Sequence, residues 1–168
     1  MRKTVSRDED FYDSHVFQIL MDYEITRSKR YPSPLSLLDI EMNPTATNDE
    51  THRAAPSLFA SVLTVHLRSV DIPYGTGNRF KVLLPTTNEA GVKAICERLI
   101  SVFKTKFDTE DGSSIAFTLN IGGVAHPGGA SLASEILLGK AEDALKQSIQ
   151  KGPNIYILHT ISQQENLD

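Results

Sequence analysis

The sequence predicts an α/β (α+β) domain in which one mixed or antiparallel five-stranded sheet is flanked by helices. Three observations predict it. Four segments carry apolar residues at helical spacing. Ile115, Phe117, Leu119 and Ile121 alternate strictly with polar or small residues, the pattern of a strand with one buried face. Finally, the segments follow the order helix, strand, helix, strand pair, helix, strand, helix, strand, which a single sheet covered by helices accommodates. With 168 residues, 40% of them hydrophobic and 23% charged, the chain has the balance of one globular domain able to bury a core.

Residues 1–9 are polar and read as a loose tail; the domain is assigned to residues 10–159 and a second polar tail to 160–168. From Asp10 to about Lys29, Phe11, Val16, Ile19, Leu20, Tyr23 and Ile25 approximate one helical face, and Pro32 and Pro34 close that helix. Leu35 to Glu41 reads as a buried strand with Asp39 as its ionisable intruder, and Asn43 to Thr51 is too hydrophilic for a core element. A second helix is expected from about Pro56 to Arg68, turning Leu58, Val62, Val65 and Leu67 inward. Gly75, Gly77 and Asn78 tolerate the positive φ of a tight hairpin, and Arg79 to Pro85 forms its returning strand.

Thr86 and Glu89 have capping-box spacing, which opens a third helix with Val92, Ile95, Leu99, Val102 and Phe103 inside. The alternating strand is expected to end at Gly122 and Gly123. A fourth helix then uses Leu132, Ile136, Leu137, Ala141, Ala144, Leu145 and Ile149 until Gly152 and Pro153 stop it, and Ile155 to Leu158 is the last strand.

Composition narrows the function. A net charge of −4 argues against nucleic acid or an anionic membrane as partner. No apolar run is long enough to span a bilayer and the N-terminus lacks a signal-peptide core, so a cytoplasmic location is expected. Cys96 is the single cysteine; it excludes an internal disulfide and reads as a buried structural thiol. His15, His52, His66, His126 and His159 are scattered without metal-ligand spacing. No nucleophile elbow accompanies the serines.

Particular residues at particular places resemble the GGDEF family of diguanylate cyclases. "PLSLLDIE" resembles the family's first strand, and Asn48–Asp49 with His52 resembles its Asn-Asp…Gly-His segment. "YGTGNRFKVLLPTT" stands where the family has its signature hairpin, "LNIGGVA" resembles the Ser-Ile-Gly-Val-Ala strand end, and "LLGKAEDALKQSIQKGPN" resembles the closing helix. The match spans about residues 14–159 in order and spacing, although no single motif is intact. The resemblance implies a nucleotidyl-cyclase-like fold.

It also implies lost catalysis. Metal-assisted joining of two GTP molecules needs clustered carboxylates. Asp39 matches the first metal ligand, but the signature has become Thr76-Gly77-Asn78-Arg79-Phe80, with an amide and a guanidinium where acids belong. At ~4 Å, repulsion between unit charges is about 4 kcal/mol at an effective dielectric of 20. The guanine-holding position aligns with Ala55–Pro56 and the phosphate-binding positions with Ile149 and Pro153. No enzymatic activity and no magnesium are therefore expected, and Asp39 is a vestigial ligand position that caps a loop or pairs with Arg79.

What the resemblance leaves is the family's inhibitory product site. Arg68-Ser69-Val70-Asp71 precedes the hairpin and Arg98 follows it, though the gap from Asp71 to Thr76 is one residue shorter than is usual. Arg offers a planar fork to phosphate or guanine, and Asp accepts from guanine N–H groups. The expected function is a cyclic di-GMP receptor acting through an unidentified protein partner, with a homodimer bridged by ligand as an option. Alternatives are an interaction scaffold without ligand, in which Arg68 and Asp71 are only an exposed i,i+3 ion pair, and a residual nucleotide-processing enzyme.

Overall fold

A computed structural model of the protein describes residues 11–162. The expected tails, 1–9 and most of 160–168, lie outside the described residues. The elements run α1 (Ser14–Arg30), β1 (Leu35–Ala46), α2 (Asp49–Arg53), α3 (Ala55–Val65), β2 (Ile72–Thr76), β3 (Arg79–Pro85), α4 (Glu89–Phe103), β4 (Phe107–Asp108), β5 (Ser114–His126), α5 (Ser134–Lys151) and β6 (Ile155–Thr160). The strands form one mixed sheet in the order β2-β3-β1-β5-β4, with β6 also pairing β5. The ladders are antiparallel except β5–β6, which is parallel.

The sheet therefore has six strands rather than the expected five. The addition is β4, two residues that pair Phe107 with Ile115 and Asp108 with Ser114; so short a strand leaves no periodic trace. Strand β1 is also longer than expected, because β5 extends far enough to pair Asn43 through Ala46 with Thr118 through Ile115. Hydrophilic side chains do not prevent this, since that end alternates between exposed and half-buried positions. Strand β5 continues through Gly122 and Gly123 to His126. Glycine at 122 is required by packing: a Cβ there would strike the α5 backbone at Ala141 and Leu145.

The single helix expected after the first strand is two. Asn48 caps α2 by accepting from Thr51 N at 2.8 Å, and α3 starts anew because Pro56 cannot donate the bond that would continue α2. The inward face of α3 is Ala55, Phe59, Ala60 and Leu63; Leu58 and Val62 are only partly covered and Val65 is 78% exposed. In α1 the buried residues are Phe17, Met21, Ile25 and Ser28, whereas Ile19 and Tyr23 are exposed. Ile25 is buried as expected, but otherwise burial favours the second apolar register available on each helix. The cap of α4 is Asn88, which accepts from Gly91 N at 3.1 Å, not Thr86.

Two apolar layers hold the sheet. One face packs Leu38, Ile40, Met42, Phe80, Val82 and Phe117 against Phe59 of α3 and Val92, Leu99 and Phe103 of α4. Phe59 sits 4.4 Å from Phe103 and 4.6 Å from Phe80 between ring centroids. The other face packs Leu35, Leu37, Leu83 and Val124 against Phe17 and Met21 of α1 and Leu137 and Ala141 of α5. Fully burying one such side chain contributes about 1.5–3 kcal/mol.

Candidate functional site

Strands β2 and β3 meet at a two-residue loop, Gly77–Asn78, across which Thr76 pairs with Arg79. Gly77 has φ +61°, as the first central residue of a type II′ turn requires. Asn78 contributes its carbonyl, which accepts from Met42 N at 2.9 Å and ties the tip to β1. Thr76, Gly77, Asn78 and Arg79 are exposed, but Phe80 is buried between Phe59 and an edge contact to Phe11. Gly75 lies flat beneath Phe80, whose ring a Cβ would strike. The hairpin is thus anchored by its aromatic residue and presents its polar ones.

Behind the hairpin stands Asp39, fully buried. It lies opposite Lys81 on β3 and Gly122 on β5. Lys81 Nζ donates to its Oδ2 at 3.1 Å, and Arg79 Nη2 lies 3.5 Å from Oδ1, which has no hydrogen bond. One carboxylate is held between two cations. Magnesium needs about six oxygen ligands in near-octahedral array. Among the described residues no three His, Cys, Asp or Glu side chains gather to supply them. Beside Asp39 the nearest charged groups are an ammonium and a guanidinium, not further oxygen ligands. Arg79 was anticipated as the partner of Asp39; Lys81 was missed, and its signal was the i+2 spacing that puts it on the same strand face as Arg79.

Of the other positions aligned with nucleotide contacts, Ala55 and Pro56 are taken up by the fold, whereas Ile149 and Pro153 are exposed. Ala55 is in the core, Pro56 opens α3, and Ile149 is 42% exposed on α5. Cys96 is buried on α4, and burial pushes its thiol up to about 12.

Arg68, Asp71 and Arg98 come together. Arg68 follows α3, Asp71 precedes β2, and Arg98 lies on α4; all three line a cavity of about 340 Å³ with Thr86, Thr87 and Asn88. The ion pair is not an exposed one. Asp71 is 2% exposed, and both its oxygens face Arg68: Oδ2 accepts from the Arg68 backbone N at 2.7 Å and Oδ1 from Nη2 at 2.8 Å. Asp71 N returns a bond to Arg68 O at 3.0 Å, which closes the turn. Asp71 therefore orients Arg68 and has no open face for a guanine edge.

Arg68 Nη2 also reaches Pro85 O at 2.8 Å and Thr87 Oγ1 at 2.6 Å, while half of the side chain stays exposed. It fastens the chain before the hairpin to the chain after it. Between these anchors Thr86 is held at φ +50°, an uncommon conformation for a β-branched residue. Across the cavity Arg98 Nη2 donates to His66 O at 3.1 Å. With two guanidiniums against one carboxylate, the cavity carries net positive charge. Arg forks suit a phosphodiester or the O6/N7 edge of guanine. Thr86 and Thr87 were not anticipated as lining residues, since hydroxyls beside a helix start carry no distinctive pattern.

No protein-family model matches the chain and no curated protein matches it. Solved structures do. The GGDEF domain of YfiN (TpbB) from Pseudomonas aeruginosa superposes with TM-score 0.76 at 21% identity, covering 90% of this chain and 98% of that one. The GGDEF domain of DgcB from Caulobacter crescentus, solved in complex with c-di-GMP, gives 0.76 at 15%, covering 94% and 92%. The diguanylate cyclase SiaD from Pseudomonas aeruginosa, solved with its activator SiaC, gives 0.74 at 18%; the match covers 92% of this chain but 61% of SiaD. At these identities the likeness establishes a shared fold, and the expected nucleotidyl-cyclase-like architecture is present.

Proposed function

We propose that this chain, which has the GGDEF fold, is a degenerate, catalytically inactive domain that binds cyclic di-GMP in the Arg68–Arg98 cavity. Its signal then passes by contact with a protein partner. The observation that carries the reading is convergence: three residues separated in sequence, Arg68, Asp71 and Arg98, line one positively charged cavity. Loss of synthesis is supported by Asp39, whose carboxylate is engaged by Lys81 and Arg79, two cations that would repel a metal there. Magnesium has no role in this reading.

Cyclic di-GMP offers two phosphodiesters and two guanines to such a cavity. Each charge-assisted hydrogen bond contributes about 1.5–3 kcal/mol, so a few support micromolar binding, about −8 kcal/mol. Arg68 and Arg98 contact the ligand, and Asp71 positions Arg68. DgcB was solved with this ligand and SiaD with a protein activator, which makes both kinds of partner reasonable here. A stacked pair of ligands would allow two protomers to share one binding event, and the domain would act in the cytoplasm, where this nucleotide is made.

One observation favours a second reading, a scaffold without ligand: Arg68 already makes contacts to Asp71, Pro85 and Thr87 within the chain. Titration calorimetry with cyclic di-GMP separates the two. Micromolar binding, weakened about tenfold or more by Arg98→Ala and absent with GTP, supports the receptor. No heat at millimolar ligand overturns it and leaves the scaffold.

A further inference from the structure

β5, α5 and β6 form a strand–helix–strand unit whose two strands are parallel, pairing Val124 with His159 and Ala125 with Thr160 at their carboxyl ends. In open α/β sheets the crevice beyond the carboxyl ends of parallel strands is a recurrent place for ligands, and β5 and β6 form one parallel pair of that kind here. Here that place is a cavity of about 340 Å³ lined by His126, Ser131, Ile136, Lys140, His159 and Thr160. It shares no lining residue with the Arg68–Arg98 cavity.

Three features of this cavity favour an anion. Among the described residues no carboxylate lines it, and Lys140, on the second turn of α5, enters no ion pair with any of them. The side chain of Ala133, at the N-cap of α5, offers nothing to the backbone N–H groups of the first turn. His159 Nε2 is buried with no hydrogen-bond partner among the described residues, an arrangement that costs free energy unless something supplies the partner.

The neighbouring histidine frames the cavity. His126 Nδ1 accepts from Gly128 N at 2.9 Å, so its proton is on Nε2, which donates to Ser131 Oγ at 3.0 Å. With that polarity His126 cannot take a proton from Ser131, and the pair is not a hydrolytic dyad. It fixes the Gly128–Ser131 loop that forms one wall; Gly128 and Gly129 adopt φ +89° and +99° there.

We propose that this cavity binds a phosphate group through the Lys140 ammonium and His159 Nε2, either as inorganic phosphate or as the phosphate of a small monoester. A phosphate oxygen would complete the hydrogen bonding of His159 and neutralise Lys140 in one contact.

The test is an NMR titration of the full chain with inorganic phosphate at constant pH and ionic strength, following the His159 imidazole and Lys140 side-chain signals. Saturable shifts of both are expected. Lys140→Ala, at an exposed position, and His159→Phe should each weaken binding about tenfold, the effect of one charge-assisted hydrogen bond. Arg98→Ala should leave it unchanged, so failure here and failure of the cyclic di-GMP reading are distinguishable. Phenyl phosphate run in parallel assigns the source: tighter binding indicates a monoester, and equal or weaker binding indicates the free ion. Shifts that grow linearly without saturation, or saturable binding that Lys140→Ala retains in full, would overturn the proposal.

Discussion

Lys81 stands directly opposite Asp39 across the β1–β3 ladder and places its ammonium 3.1 Å from the carboxylate, with Arg79 at 3.5 Å on the other oxygen. Asp39 is fully buried, while Lys81 and Arg79 keep 30% and 44% of their side chains in solvent. The cations can hydrate; the carboxylate cannot. Its burial is therefore compensated by these two cations. Lys81→Ala is expected to destabilise the domain by about 1–3 kcal/mol, less than for a fully buried pair because Arg79 remains and solvent screens Lys81. Urea unfolding of the variant against the parent measures this.

The same arrangement predicts the response to metal. Millimolar magnesium should leave the melting temperature of the protein unchanged, because binding to the folded state is what would raise it. Differential scanning fluorimetry with and without magnesium is sufficient, and a clear rise that Asp39→Ala abolishes would restore a metal site.

Arg68 and Arg98 should separate in their effects on stability. Arg68→Ala strands the buried Asp71 and releases Pro85 O and Thr87 Oγ1, for an expected loss of about 2–4 kcal/mol. Arg98 makes one exposed bond to His66 O, and Arg98→Ala should cost within about 0.5 kcal/mol. Arg98→Ala is thus the cleaner probe of ligand binding.

Two glycines should differ in the same way. At Gly77 a Cβ meets nothing, and alanine pays only for φ +61°, about 1–2 kcal/mol. At Gly122 it meets the α5 backbone. Neither element can yield there, so Gly122→Ala should cost about 3 kcal/mol or more. Chemical denaturation of both variants checks the order.

Acid should act on His126. Burial lowers its proton affinity below the ordinary value of 6.5, so the unfolded chain binds the proton more readily than the folded one. The stability it carries is complete above about pH 6.5 and is lost as pH falls through the lower folded value. In His126→Gln this component of the pH dependence should disappear between pH 7 and 5, as read by unfolding free energies across the range.

Much was legible in the order of elements, because periodicity and Gly–Pro punctuation are local properties of the chain. The returning strand from Arg79 to Pro85, the α4 face of Val92, Ile95, Leu99 and Phe103, and the alternation through Ile121 needed no long-range information. The positions of Arg68, Asp71 and Arg98 around the hairpin were also visible, since their spacing is linear. Tertiary structure alone decided the rest. Whether α3 turns Val62 or Phe59 inward depends on which partner occupies the core, and Phe80 and Phe103 select Phe59. The pairing of Lys81 with Asp39 is a matter of strand register, and the burial of Asp71 follows from closure of the turn upon Arg68. The cavity at His159 exists because β5 and β6, separated by a whole helix, run parallel and end together, a juxtaposition that no local pattern in the sequence encodes.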